Sequence, residues 1–508
     1  SAMQMDREPY LRRARAASML TVPSLVVPQG YTGQTDLDTP FQSVGARGLN
    51  HLASKLLLAL FPPNAPFFKF VVDPYALDKA VGMTEDAAKT QKEIEASLLK
   101  AEEAVQAEIE TTSLRPYLHE TLKHLVVAGN AVLYVGYPKL NERPQVFHLP
   151  NFCIERCGDR VEFIVIEEKI SYRDLPKGFM PQQGPTGPTG TERHVCLYTG
   201  CERNEKRNGW NVWQEALGRQ LPGKAWKYAE DEMPYLVLRG EVVSGDAYGR
   251  GYVEQYQGDL QSLEGLSQAI VEGSAAASLG RFLVNPNGMT DKDEVATAAN
   301  WQFVPGRAED VAALQMNKYG DMQITGNTAK GIEERLSYAF LLNSSVQRDA
   351  ERVTAEEIRY MAQELEQGLG GMYSLQPHEF QLPLVTLIVE RMKSEGRFPP
   401  FPKSVIRPSI VTGLEALGRG NDLNRLVMTM NAFAQAVGAP EAAATYRKNA
   451  LAMRIFTAGG VRSDDFLKTE QEIAQEALQS QMQALAQKVG PNVVNAMASG
   501  GVPAAQPQ

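Results

Sequence analysis

Long hydrophobic runs are missing from this chain of 508 residues: its most apolar stretches, such as Leu56–Phe61, are far shorter than the roughly 20 residues a helix needs to cross a bilayer. No basic segment followed by an apolar one opens the sequence, so no secretion signal is expected; Ser1-Ala2-Met3 reads as a cloning scar and is set aside. Cysteine is scarce. Cys153, Cys157, Cys196 and Cys201 form C-x3-C and C-x4-C pairs, with His194 nearby. The tight C-x2-C knuckles of structural zinc sites are absent, so these read as strand or turn cysteines and no metal is expected. So few cysteines in a long chain fit a reducing cytosol.

Catalytic signatures are also lacking. There is no G-x-x-x-x-G-K-[ST] phosphate cradle, which excludes a P-loop motor. Gly249-Arg-Gly251 and Gly418-Arg-Gly420 lack the strand, spacing and acidic partner of a dinucleotide site. Neither a G-x-S-x-G elbow nor H-E-x-x-H occurs. His119 and His124 are five apart and share no helical face, and the adjacent pairs Glu333-Glu334 and Glu356-Glu357 point in different directions on a helix. No enzyme active site is read, and no cofactor is expected.

What is present is soluble globular composition: 43% hydrophobic and 22% charged residues, enough chain for several cores. The net charge of -9 is the opposite of the basic footprint of a duplex-binding monomer.

The periodicity points to an α+β, mainly helical chain. Residues 10–61 read as helical up to Pro62-Pro63, which cannot continue a helix. Phe67–Val72 has strand composition. Residues 84–128 read as two helices, the second with Leu118, Leu122, Leu125 and Val126 on one face. A strand follows at Ala131–Gly136, and residues 145–245 alternate β-like runs with turns. Gly184–Gly190 (GPTGPTG) has two collagen-like triplets only, too few for a triple helix, and reads as a surface loop.

Residues 252–282 predict the longest helix. Val253, Tyr256, Leu260, Leu263, Leu266 and Ile270 make one apolar stripe, while Glu254, Asp259, Glu264 and Glu272 occupy the other faces. Turn signals at Asn285–Gly288 and Phe303–Gly306 break the chain. A second helix carries Ile332, Leu336 and Phe340 on one face and ends near Leu342. A polar loop with Arg348 and Arg352 leads to Thr354-Ala-Glu-Glu357, a capping box. The helix it opens presents Ile358, Met361, Leu365 and Leu369, and Gly368, Gly370 and Gly371 weaken and end it. Another helix is expected over Leu382–Lys393. Residues 419–460 read as Ala-rich helix. Phe466–Lys488 reads as a weakly apolar helix that needs partners, with Ile473, Leu478, Met482 and Leu485 on one side.

Several blocks carry a more specific signal. Phe340–Gly371 (FLLNSSVQRDAERVTAEEIRYMAQELEQGLGG) closely resembles a segment of the portal proteins, or head-to-tail connectors, of T7-like short-tailed phages. Thr39–Pro62, Leu122–Tyr134 (LKHLVVAGNAVLY), Tyr248–Glu264 (YGRGYVEQYQGDLQSLE), Gln381–Val385 and Thr412–Gly420 continue the likeness in the family's order across about positions 10–425. It fades after Leu423 and within 170–230.

The resemblance implies a portal fold. Its parts would be a wing (1–251 and 354–418), stem helices at 252–282 and 323–342, a clip at 283–322, a tunnel loop at 343–353, a crown at 419–464, a C-terminal barrel helix at 465–490 and a disordered tail at 491–508. It implies a dodecameric ring at one capsid vertex, passing double-stranded DNA inward in packaging and outward in ejection. The implied partners are other copies of the chain, the DNA, the packaging terminase (which supplies ATP hydrolysis), the tail adaptor, and the scaffolding and major capsid proteins. No membrane is involved. The setting is the virion, and the host cytoplasm during assembly.

By the same resemblance Asn343, Ser344, Ser345, Gln347, Arg348 and Arg352 face the DNA. Glu254, Asp259, Glu264, Glu272, Glu333 and Glu334 line the stem channel or pack the ring, and the apolar stripe packs neighbouring stem helices. An acidic ring repels phosphates over most of its wall, which lets DNA slide. For Arg348 and Arg352 the alternative is pairing with Asp349, Glu351 or Glu356. The alternative for the whole chain is a DNA-translocating enzyme or nuclease with an unrecognised site. A purely structural tail adaptor or scaffold fits the length and the helix–insertion–helix pattern less well.

Overall fold

A computed structural model describes residues 2–31, 35–63, 67–72, 87–136, 142–171, 174–176, 194–204, 208–278, 281–299, 302–314, 319–342, 355–398 and 406–410, with 428–433, 435–436 and 438 in a separate C-terminal unit. The larger unit, Ser1–Leu414, is an α+β assembly. In the smaller one, residues 428–433 and 435–436 are helical. The expected tunnel loop, the capping residue Thr354, Gly184–Gly190, Thr412–Gly420, the helix at 465–490 and the tail lie outside the described residues, as does most of 419–464.

Helix α1 runs Ala2–Met19 and α2 runs Val44–Leu60. The single helix expected over residues 10–61 is therefore two, and the first begins earlier. Residues 20–43 hold Pro23, Pro28 and Pro40, each lacking the N–H a helix interior needs. In α2, Leu49, Leu52, Leu56 and Leu60 are fully buried, and the helix stops at Phe61 just before Pro62-Pro63.

Strand β1 (Phe68–Val72) is followed by α3 (Ala87–Thr111) and α4 (Leu114–Ala128). The stripe Leu118, Leu122, Leu125 and Val126 of α4 is sealed in the core as its spacing predicts. Gly129, at φ 68°, closes α4 by donating to the carbonyls of His124 and Leu125.

Strands β2 (Asn130–Tyr134), β3 (Gln145–His148) and β9 (Tyr235–Arg239) form an antiparallel sheet with β2 in the middle. Between β3 and β9 the chain makes a five-stranded antiparallel meander: β4 (Phe152–Cys157), β5 (Arg160–Ser171), β6 (His194–Asn204), β7 (Gly209–Ala216) and β8 (Arg219–Ala229). Cys153 and Cys201 are buried in it, Cys157 is exposed, and all four cysteines are free thiols. Burial pushes the Cys153 and Cys201 thiols up, away from the reactive thiolate.

Two of the sequence blocks singled out above meet in space at the end of α4. Asn130 Nδ2 donates to the Gly249 carbonyl at 2.7 Å, and the Gly249 N–H donates back to Asn130 Oδ1 at 2.8 Å. The backbones touch so closely that a Cβ on Gly129 would lie 2.1 Å from the Arg250 carbonyl carbon. This clamp leads directly into α5 (Tyr252–Gln255) and α6 (Gln257–Ser278).

The helix expected over 252–282 is interrupted at Tyr256, whose N–H takes a tighter bond to the Val253 carbonyl. It also ends early: Arg281–Val284 (RFLV) is β10, an antiparallel partner of β11 (Val311–Leu314), with short helix α7 (Lys292–Thr297) between them. Helix α8 (Tyr319–Ala339) begins before position 323 and ends three residues before Leu342.

The rest of the unit is α9 (Ala355–Leu369), α10 (Gly371–Gln376), a π-helical turn (Pro377–Gln381), α11 (Leu382–Ser394) and β12 (Ile406–Ile410). Gly370 at φ 48° separates α9 from α10. The π turn aims Glu379 at the buried Arg239 guanidinium and Gln381 at the last carbonyl of α2, Leu60. Strand β12 pairs with β1, Phe68 opposite Ile410.

Candidate functional site

Helices α6 and α8 run antiparallel, because Asp259 meets Arg335 near one end and Gly273 meets Met322 near the other. The apolar stripe holds the pair to its own chain. Val253, Leu260 and Leu263 join Leu336 and Phe340 in one buried cluster with α2, α4 and α11. Phe340 fits only because position 48 on α2 is glycine, where a Cβ would come within 2.5 Å of the ring. So half of the stripe expected to pack neighbouring stem helices, Val253, Leu260 and Leu263, is buried inside the protomer, and Tyr256, Leu266 and Ile270 are partly buried against the same cluster. Sequence reasoning missed the side chains that remain outside: Val271, Ile324 and Tyr338 are 52%, 67% and 71% exposed. They stand off the stripe, and their signal was an apolar residue on an otherwise polar face.

The six acids named for the channel have distinct surroundings. Glu254 pairs with Arg13 at 3.2 Å and Arg250 at 3.4 Å. Asp259 accepts from Arg335 at 2.9 Å. Glu264 accepts from the backbone N–H groups of Phe41 and Gln42 at 2.8 and 3.2 Å, tying α6 to the entry of α2. Glu333 lies 3.9 Å from Arg47. Glu272 accepts from Gln268 one turn earlier on an exposed face. Glu334 is exposed. Glu254 thus pairs α5 with α1, Asp259 pairs α6 with α8, Glu264 ties α6 to the entry of α2, and Glu272 and Glu334 present their charge to solvent.

Asn343, Ser344, Ser345, Gln347, Arg348 and Arg352 fall outside the described residues, but the approach to them is built with care. The Leu342 N–H bonds the Ser337 carbonyl at 2.8 Å and the Leu341 N–H bonds that of Tyr338 at 3.1 Å, a Schellman closure. Glycine usually takes its left-handed position. Here Leu341 does, at φ 55°, a conformation that costs a leucine about 1–2 kcal/mol. Lys55, on α2 and 3% exposed, holds the turn: its Nζ donates to the Leu341 carbonyl at 3.1 Å and to Glu364 of α9 at 2.9 Å. Both flanks of the segment are fastened to one buried cation.

The insertion between α6 and α8 is organised around Asp310, which accepts from the Met289 N–H and the Thr290 hydroxyl at 3.0 Å each, while its carbonyl accepts from the Asn285 N–H. Around this polar knot Leu283, Met289 and Phe303 are exposed, Phe303 completely.

The family model for the bacteriophage head to tail connecting protein matches residues 1–467. The chain belongs to this connector family. The portal protein of Enterobacteria phage T3 is 38% identical over 499 residues, covering 98% of this chain and 91% of that protein. The portal protein of Escherichia phage T7 is 37% identical over 485 residues, covering 95% and 89%. That of Pseudomonas phage phiKMV is 28% identical, covering 93% and 92%. Among solved structures, the neck of a native gene transfer agent particle computed with C12 symmetry aligns over 77% of this chain and 85% of that one, at 11% identity and a TM-score of 0.30, too distant to carry any argument. A portal or connector role follows from the family. Among the described residues no helix is long and apolar enough to cross a membrane.

Proposed function

We propose that this chain assembles as a dodecameric ring at one capsid vertex and conducts double-stranded DNA through its centre in packaging and ejection. The observation that carries this reading is the match, along nearly the whole chain, to proteins named portal proteins. Helices α5–α6 and α8 form the stem, and the β10–β11 insertion with exposed Leu283, Met289 and Phe303 forms the clip that meets the terminase and later the tail adaptor. The sheets and the helices around α2, α4 and α11 form the wing. Residues 419–464 form the crown and 465–490 a C-terminal barrel. Scaffolding and major capsid proteins surround the ring, which matures in the host cytoplasm and remains in the virion.

The chemistry of this reading is electrostatic and steric. With a net charge of -9 per chain, the channel wall repels phosphate backbone, and the solvent-facing Glu272 and Glu334 contribute to that field. The segment from Asn343 to Arg352 faces the DNA. Arg348 and Arg352 touch phosphates there, each adding only about one unit to the salt dependence of binding, which permits sliding. Hydrolysis of ATP belongs to the terminase, and this chain performs none.

Electron images of the purified full-length protein test the architecture. Rings with a central hole wide enough for duplex DNA are expected; a compact closed dimer would overturn the reading. Replacing Arg348 and Arg352 with Ala tests the loop separately: rings form as before, and less DNA is packaged or retained. Normal particle yield would remove the loop's role.

A further inference from the structure

Glu120 and His124 stand four residues apart on α4 and therefore share one helix face. His148, the last residue of β3, reaches the same place. Its Nε2 lies 3.2 Å from Glu120 Oε1, and its ring stacks on that of His124 with centroids 4.0 Å apart and 27° between planes. One ligating atom from each of the three residues can be chosen so that all lie within 4.8 Å of one another.

His124 is what makes this more than a surface cluster. It has no accessible surface, yet neither ring nitrogen has a hydrogen-bond partner. A neutral imidazole offers one donor and one acceptor, and buried polar groups are almost always satisfied. Here a second imidazole lies against its face, where it meets neither nitrogen's in-plane lone pair nor its N–H. In the stack the in-plane lone pairs of the two rings run nearly parallel, so an ion is shared only when the half-exposed His148 ring turns out of it; Glu120 and His124 come from α4 and His148 from β3.

We propose that Glu120, His124 and His148 bind one divalent transition-metal ion of the zinc, cobalt or nickel class. Two imidazoles and one carboxylate are a donor set such ions favour, whereas calcium and magnesium take all-oxygen shells. Zinc–nitrogen and zinc–oxygen bonds of about 2.0–2.2 Å set tetrahedral ligand atoms roughly 3.4 Å apart. The His148 ring swings out of the stack and Glu120 rotates to meet it, both from side chains that are 33% and 44% exposed, around a fixed His124. Water completes the shell from the exposed side. Burial, with the neighbouring His148 and Lys123, pulls the His124 pKa down to about 3. That imidazole is already neutral, so it gives up no proton on binding. The ion would staple α4 to β3 one turn before the Gly129–Asn130 clamp. The sequence carried half the signal, E-x-x-x-H at helical spacing; His148 arrives only through the fold.

Cobalt(II) is the probe. Full-length, untagged protein is stripped with chelator, titrated with cobalt and read by visible absorption and by thermal midpoint. The expected result is one cobalt per chain, ligand-field bands of a four- or five-coordinate site, and a raised midpoint. Glu120→Gln and His148→Ala change half-exposed positions and should keep the metal-free midpoint near that of the parent, while binding cobalt at least tenfold more weakly and losing the shift. Failure to retain cobalt above background would overturn the proposal. So would unchanged binding in both variants, or thiolate-to-cobalt absorption, which would move the ion to the cysteines.

Discussion

The two ends of the α6/α8 pair differ sharply. At the base, Val253, Leu260, Leu336 and Phe340 are completely buried, the Tyr252 hydroxyl bonds the Ala339 carbonyl at 3.0 Å, and α2 presses so close that it needs Gly48. Toward the far end, Val271 and Ile324 are mostly in water. Along the pair, Gly258, Gly265, Gly320, Gly326 and Gly331 have nothing within 4 Å of the place a Cβ would take. The same two helices are finished by their own chain at one end and left unfinished at the other. Helices owe most of their stability to a packed face, so the outer end depends on whatever covers it. In the proposed ring, that is the next copy.

The severest way to break this contrast is at the base. Phe340→Ala should cost about 3–5 kcal/mol of unfolding free energy, since α2 is already as close as glycine allows and the cavity cannot collapse further; denaturant unfolding measures it. A loss below about 1 kcal/mol would mean the base is no better packed than the tip. Next comes Lys55→Met, which leaves the Leu341 carbonyl and Glu364 without their shared donor. A loss of about 2–3 kcal/mol is expected, tempered by the partial exposure of Glu364. Protease cutting between Leu342 and Ala355 should also quicken in that variant; an unchanged rate would detach Lys55 from the turn.

Smaller changes sharpen the contrast at the other end. Gly265→Ala and Gly326→Ala should each stabilise the protomer by up to about 1 kcal/mol, because alanine is the better helix former and meets no neighbour. If ring yield falls while the protomer gains stability, a neighbouring backbone approaches those glycines; if ring yield is kept, the contacts lie elsewhere along the pair. Asp259→Asn comes last. It removes a half-exposed ion pair with Arg335 and should shift stability by about 0.5 kcal/mol or less, vanishing in high salt.

Much of the helical scaffold was legible. The stripes Leu118–Val126, Leu260–Ile270 and Ile332–Phe340 follow from a period of 3.6, and Pro62-Pro63 and Gly370 stop helices for local reasons. Long-range pairing was not legible: nothing in FKFVV names IRPSI as its partner, and the order β3-β2-β9 requires the whole meander to loop out between neighbours. The single helix over residues 10–61 fails because Pro23, Pro28 and Pro40 interrupt it. Residue roles were least accessible. Glu264 sits on a solvent-facing spacing yet is bound to two backbone amides of a loop over 220 positions away. Lys55, inside an apolar run, gives no hint of the carbonyl it serves.

The β1–β12 pair also sets a clock. Phe68 waits for Ile410, and at 5–20 residues per second a ribosome needs roughly 20–70 s to make the chain between them. For that time β1, with Phe68 and Phe70, is an open edge that any other nascent chain could join. The one charge in the strand, Lys69, faces outward and remains exposed in the finished fold. It guards the edge against a wrong partner until the right one is synthesised, so Lys69→Val should appear as aggregation during expression and not as a change in melting temperature.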